Sequence, residues 1–480
     1  MQIARKIIFY VFLLVYLFLC PMIILYSFGY IFQPVDQEIE QTGIIYLSTT
    51  PSGAYIYLEK KECDYKTPTS IIDLLPGSYD VGIRLLGYRT WKHQVAVCEG
   101  RAVVFENILL IPKDLMPEAI SSEKDLSTLI ELPADNSFII KEGNEIDDFY
   151  IYDITDNKVQ PLVQKNILKH NFSVNNIYTL NKNNQVILQG NTLSSKKYYY
   201  FNLSSQPQVL TDITQLISVA PNTIMYSASE ENTFYAVYQN YVNRFNIKSM
   251  SQDERYIDKI KGIGLLDDEF IVLDKDNSIS TRSLNNEQKE ILFKNKNLGK
   301  NLFKNSNFYE ISRLDNQLFL FSGDKGDLIV TVAPYQICDK GVLGVEYYKK
   351  TERLLYWTKD TIGMVDFEKD DQNSMLFKDE FEINELYKNG KNITQAFWVY
   401  NATHALFADS NSVSLLELSP DSNHHVENIS EVRNNSRIIY NDQQGYLYYL
   451  NDDGDLMKLE IVSKDKLDFA PFQKNKNIQE

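Results

Sequence analysis

The sequence predicts a mainly β protein with one long apolar helix at its N-terminus. Three observations lead there. Residues 7–32 form an apolar run with no charged side chain. The 480 residues include 32 Tyr and 25 Phe, and aromatic side chains favour the pleated, half-buried surface of a strand. Beyond residue 40, short alternating apolar segments broken by Gly, Pro, Asn and Asp continue almost to the end. A hydrophobic content of 44% and a charged content of 23% belong to a folded chain, and 480 residues are too many for one ordinary core. The formal net charge of −16, with no dense Lys/Arg stripe, argues against nucleic acid as a partner, because phosphates demand basic patches.

Residues 1–6 are expected on the cytoplasmic side and residues 7–32 as a single transmembrane helix. At roughly 1.5 Å per residue that run exceeds the roughly 30 Å hydrocarbon layer and spans it with some tilt. Arg5 and Lys6 precede it, and the first charges after it are Asp36, Glu38 and Glu40. The positive-inside rule then places the N-terminus in the cytoplasm and the rest of the chain outside. A cleaved signal peptide would need a shorter apolar region and a small-x-small site, which YSFGYIF does not offer. A lipoprotein signal would need small residues before Cys20, where Phe18 and Leu19 stand. A buried core helix seldom runs this long without a polar face.

Residues 42–112 read as about six short strands in a small antiparallel sandwich. Pro51, Gly53 and Ala54 make one turn, Thr67-Pro68 precedes an apolar strand, Pro76-Gly77 makes a second turn, and Gly87-Tyr88 breaks the next strand. Tyr79, Val81, Ile83 and Leu85, then Trp91, His93, Val95 and Val97, fall on alternate positions. In these motifs and their order the segment resembles the PEGA domain. Ser52 stands where that family has Glu, and residues 59–65 replace a hairpin that usually carries Gly. The resemblance implies a β-sandwich of exported bacterial proteins, used for binding or spacing, and brings no catalytic residue. Cys63 and Cys98 share this segment in a compartment where disulfides persist, so they are a candidate pair. A bridge there would contribute about 3–4 kcal/mol in the entropic view.

Residues 113–127 read as a linker, 128–465 as a large repetitive body and 466–480 as a polar tail. In the body, apolar strand ends recur at Ile154, Leu203, Ile247, Leu284, Val332, Phe367, Leu418 and Ile461, about 44 residues apart. That spacing is the one β-propeller blades produce, and a single four-stranded blade cannot cover both of its faces alone. Seven or eight blades are expected, the number depending on whether the last unit borrows strands from residues 128–140. The body resembles the broad class of WD40- and TolB-like propellers, without their Gly-His and Trp-Asp signatures. A stack of β-sandwiches is the rival architecture.

Chemistry-bearing motifs are sparse. Asn451 to Asp455 looks like a calcium loop, but Tyr449 takes the first position, where a carboxylate is required. A hairpin turn fits those residues better. Asp267-Asp268-Glu269 and Asp370-Asp371 read as solvated turns, and His424-His425 as part of an exposed loop. Asn392, Asn401 and Asn428 open Asn-x-Ser/Thr triplets that an Asn-rich chain produces by composition. No catalytic site, metal site or cofactor is expected. The leading expectation is a non-enzymatic bacterial inner-membrane protein with its bulk periplasmic or extracellular, presenting its β domains to a protein or glycan. The alternative is a propeller-type hydrolase or lyase acting on extracytoplasmic polysaccharide or peptide. It requires carboxylates or a nucleophile at the channel mouth, and a channel of Asn, Tyr, Phe and Lys alone would exclude it.

Overall fold

The computed structural model describes residues 2–32, 39–121, 126–132, 137–164, 172–180, 185–192, 195–203, 209–227, 229–230, 232–266, 268–284, 289–293, 302–315, 318–331, 336–367, 382–420 and 424–462. It forms two compact units. Residues up to Met116 and the segment Leu416–Glu427 make the first; Pro117–Leu415 and Asn428–Val462 make the second.

The first unit opens with an α-helix over Gln2–Ser27, of which Ile8–Ser27 is long and apolar enough to cross a membrane. The helix ends earlier than the apolar run. Gly29 takes φ +79°, and Tyr30–Phe32 then pairs as a strand with Ile39–Gln41. The chain next builds two facing sheets. One orders Thr69–Leu74, Gly43–Thr50 and Ala102–Leu109; the other orders Lys61–Lys66, Tyr55–Leu58, Gly77–Arg84 and Trp91–Val97. This sandwich is not wholly antiparallel, since Gly43–Thr50 runs parallel to Ala102–Leu109. Burial along Trp91–Val97 alternates strictly, which puts Trp91, His93, Val95 and Val97 inside with Ile45, Leu47, Ile56, Ile83 and Phe105. Strand alternation has turned an apolar-polar sequence into one dry face.

The second unit is a β-propeller. Among the described residues its blades are four-stranded meanders at 128–161, 173–212, 223–258, 260–293, 309–339, 344–387 and 393–431, numbered one to seven, with residues 416–427 of the seventh counted in the first unit. An eighth is built from residues 439–460 and closed by Glu118–Ser121, which pairs antiparallel with Leu456–Glu460. The closing strand thus comes from the stretch expected to be a linker, while residues 128–140 belong to blade one. Apolar clusters lie between blades rather than within them, as the physics of a two-faced sheet requires. Phe172, Val186 and Leu188 of the second blade pack with Ile139 and Phe149 of the first. At the closing seam Phe138 and Tyr152 of blade one lie tilted against Tyr448 of blade eight, with ring centroids 5.2 and 5.6 Å apart. Blades four and five approach closely enough for their first strands to pair in parallel, Gly262 with Tyr309. A Cβ on Gly264 would collide with the Ile311 carbonyl, so glycine is needed there.

Candidate functional site

The first strand of each blade lies innermost, so residues on these strands line the axis. Glu346 sits on Gly344–Tyr348 of blade six. Its carboxylate accepts a hydrogen bond of 2.7 Å from the Trp398 amide, on the first strand of blade seven. Burial pushes the Glu346 carboxyl up to about 8, and the charges of Asp442 and Glu131 push in the same direction. Asp442 follows the innermost strand of blade eight and Glu131 ends that of blade one, so side chains from three blades and a backbone amide from a fourth act on one region. Asp442 is itself raised by burial, offset in part by Lys350. Tyr440 is 9% exposed, its hydroxyl has no hydrogen-bond partner, and burial together with Asp442, Glu346 and Tyr348 raises it strongly. The Tyr348 hydroxyl, also raised by burial, donates to Asn401 Oδ1 at 3.2 Å.

Where the innermost strands begin, an open cavity of about 260 Å³ is lined by Thr223, Phe308, Glu310, Asp327 and Gly344, among others. Glu310 is solvent-exposed and yet raised by burial. Asp442 shows the same pair of properties. Such a combination marks the wall of a concave space, where water reaches the group but protein replaces much of its hydration. Asp327, by contrast, is buried and accepts from Asn305, Ser306 and Tyr309 at 2.9–3.2 Å, a structural carboxylate. The channel therefore carries carboxylates, and the condition that would have excluded hydrolytic chemistry is not met. Among the described residues, no three His, Cys, Asp or Glu side chains are grouped to hold a metal ion.

The residues singled out in the sandwich form one clamp. Thr67 Oγ1 meets Thr49 Oγ1 at 2.6 Å and accepts from the Ala54 amide at 3.0 Å, while the Gly53 amide donates to the Thr67 carbonyl at 2.7 Å. The turn through Pro51, Gly53 (φ +83°) and Ala54 is thereby pinned to Thr67-Pro68. Gly77 starts the strand Gly77–Arg84 directly after Pro76. Gly87 (φ +84°) redirects the chain, and Tyr88 bridges to Pro112. These residues shape turns and offer no chemistry.

The expected disulfide is corrected: Cys63 and Cys98 are free thiols. Cys63 lies on one edge strand and Cys98 follows the opposite edge strand of the same four-stranded sheet. Three strand spacings of about 4.8 Å keep them roughly 14 Å apart, twice what a bridge tolerates. The His pair is corrected too. His425 opens the strand His425–Glu431, half-buried, and its pKa is lowered by burial against the pull of Glu427. His424 Nδ1 accepts from the Ser419 amide at 3.0 Å. Asn451 to Asp455 makes the hairpin turn between Tyr446–Leu450 and Leu456–Glu460, with Gly454 at φ +84°. Asp267 and Asp370-Asp371 lie outside the described residues. Sequence alone could not single out Glu346, Tyr440 and Asp442, since no local motif marks them.

A small β sandwich followed by a β-propeller is the class that these elements define. Comparison with known families agrees for the first part: residues 42–109 match the PEGA domain. No curated protein matches the chain. Among solved structures it is similar to the β-propeller domain of Cps50 (Swd1) from Myceliophteria thermophila, at 9% identity and TM-score 0.40, covering 73% of this chain and 100% of that one. It is also similar to YCF48 bound to D1 peptide (10%, TM-score 0.39, 73% and 97%) and to the WD40 domain of SCAP from fission yeast (12%, TM-score 0.39, 72% and 97%). The chain thus carries a PEGA-type sandwich and a β-propeller.

Proposed function

We propose that this is a single-pass protein of a bacterial cytoplasmic membrane, with its N-terminus inside, which holds a PEGA sandwich and a propeller outside as a binding platform for a protein or glycan. The observation that carries the anchor is the helix itself. Almost every side chain described from Ile8 to Ser27 is exposed, and an apolar surface of that length finds a favourable environment in a bilayer. Carboxylates in the channel favour a hydrolase or lyase as the second reading.

The test is fractionation with protease accessibility on intact cells, followed by in-cell cross-linking from surface positions of the propeller. The expected result is an integral membrane protein, cleaved only from outside, that cross-links to a discrete partner. A chain recovered in the cytosol, or one protected from external protease after permeabilisation of any outer barrier, would remove the proposal. Turnover of a polysaccharide or peptide by wild type, lost in Glu346→Gln, would replace binding with catalysis.

A further inference from the structure

We propose that the channel wall formed by Glu346, Asp442, Glu131, Tyr348 and Tyr440 is a binding site for an organic cation: the ammonium or guanidinium group of a Lys- or Arg-bearing peptide segment. The inference rests on the binding-platform reading and names the chemistry of its ligand.

Three features converge. Carboxylates from blades six, eight and one act on the same region, and Lys350 is the cation that acts on Asp442. The Tyr440 hydroxyl is an independent pointer. It is buried beside Glu346, Asp442 and Tyr348 and bonds to nothing, which is costly for a phenol unless a ligand supplies the partner. Finally, an organic cation spreads its hydrogen bonds over wide spacings, which suits carboxylates carried by separate blades. A flexible Lys or Arg stem is narrow enough to bring such a head into a channel, and the −16 net charge of the chain draws basic segments towards it.

Proton linkage separates this site from adsorption to an acidic surface. The groups facing Glu346 are Tyr348 on its own strand, the Trp398 amide from blade seven, Tyr440 and Asp442 from blade eight and Glu131 from blade one; Lys350 acts on Asp442. Below about pH 8 the Glu346 carboxyl holds a proton that an incoming cation expels.

Titration calorimetry on the full chain in detergent tests this, using an end-blocked tetra-arginine peptide, with methylguanidine as the small-cation arm. Two buffers of different ionisation enthalpy, at pH 7, report the protons. The expected result is one peptide per chain, proton release on binding, and at least tenfold tighter binding at pH 8.5 than at pH 6. Glu346→Gln abolishes the proton release, Asp442→Asn weakens binding at least tenfold, and Tyr440→Phe weakens it about threefold or more without lowering the melting temperature. Asp452→Asn, in the exposed hairpin turn, changes none of these. Binding without proton release, or binding equal in wild type and Glu346→Gln, overturns the proposal; binding of methylguanidine but not peptide overturns the peptide occupant. If partners cross-linked in cells are held equally by wild type and Glu346→Gln, the platform stands and the channel site falls. If no partner is held by either while the peptide still binds, the platform fails and the site stands.

Discussion

The small sandwich and the propeller channel treat enclosed polar groups in opposite ways. In the sandwich, Thr67 is 3% exposed and shares its hydroxyl with Thr49 and the Ala54 amide. In the channel, Tyr440 has no partner and Glu346 is held close to neutrality at physiological pH by its surroundings. A satisfied network fixes one geometry. An unsatisfied one leaves free energy of interaction available to whatever arrives, at a standing cost to the fold.

The contrast can be broken or sharpened by substitution. The largest effect is expected for Trp91→Ala, which removes a ring stacked at 5.5 Å on His93 and edge-on at 5.6 Å to Phe105. It should cost about 3–5 kcal/mol, seen as early proteolysis of the sandwich in a denaturant series. Thr67→Val keeps the shape but strands the Ala54 amide, with an expected loss of about 1–3 kcal/mol by the same measurement. Glu346 adds a pH dependence. Its carboxyl is raised in the fold from 4.5 to about 8, so the folded state binds the proton more tightly than the unfolded chain. Propeller stability should therefore fall as pH rises from about 4.5 to about 8 and level off beyond, and Glu346→Gln should flatten that slope in thermal melts across pH. A slope unchanged in the variant would assign the pH dependence elsewhere. Tyr440→Phe deletes a hydroxyl that makes no bond and should shift stability by under about 1 kcal/mol, upwards if at all. The smallest effect belongs to the thiols: reductant should leave the melting temperature of the oxidatively purified protein unchanged, because Cys63 and Cys98 are unpaired.

What was legible in the sequence was local or periodic. Turn chemistry at Pro51–Ala54 and Gly87 needs only neighbouring residues, and the alternation from Trp91 to Val97 declares its own buried face. The blade period survived because every blade repeats the same strand-turn-strand economy. Strand order leaves no such trace: nothing near Cys63 or Cys98 says that their strands take opposite edges. Apolarity running on to Phe32 hid the helix stop at Gly29, and the four-residue strand Glu118–Ser121 is too short and too acidic in its surroundings to stand out from a linker. The channel was illegible for a similar reason. Glu131, Glu346, Tyr440 and Asp442 meet only after eight blades have closed into a ring.

Ring closure through Glu118–Ser121 also sets an order of events during synthesis. Its partner, Leu456–Glu460, is among the last described segments to be made. At about 5–20 residues per second, the early strand waits some tens of seconds with its ladder unpaired. Through that interval it is an open edge, the kind of surface that invites pairing with a neighbouring nascent chain. Four residues is a short template for such an error, and a truncated product lacking the final hairpin would keep that edge open for good, a ready mark for proteolytic disposal.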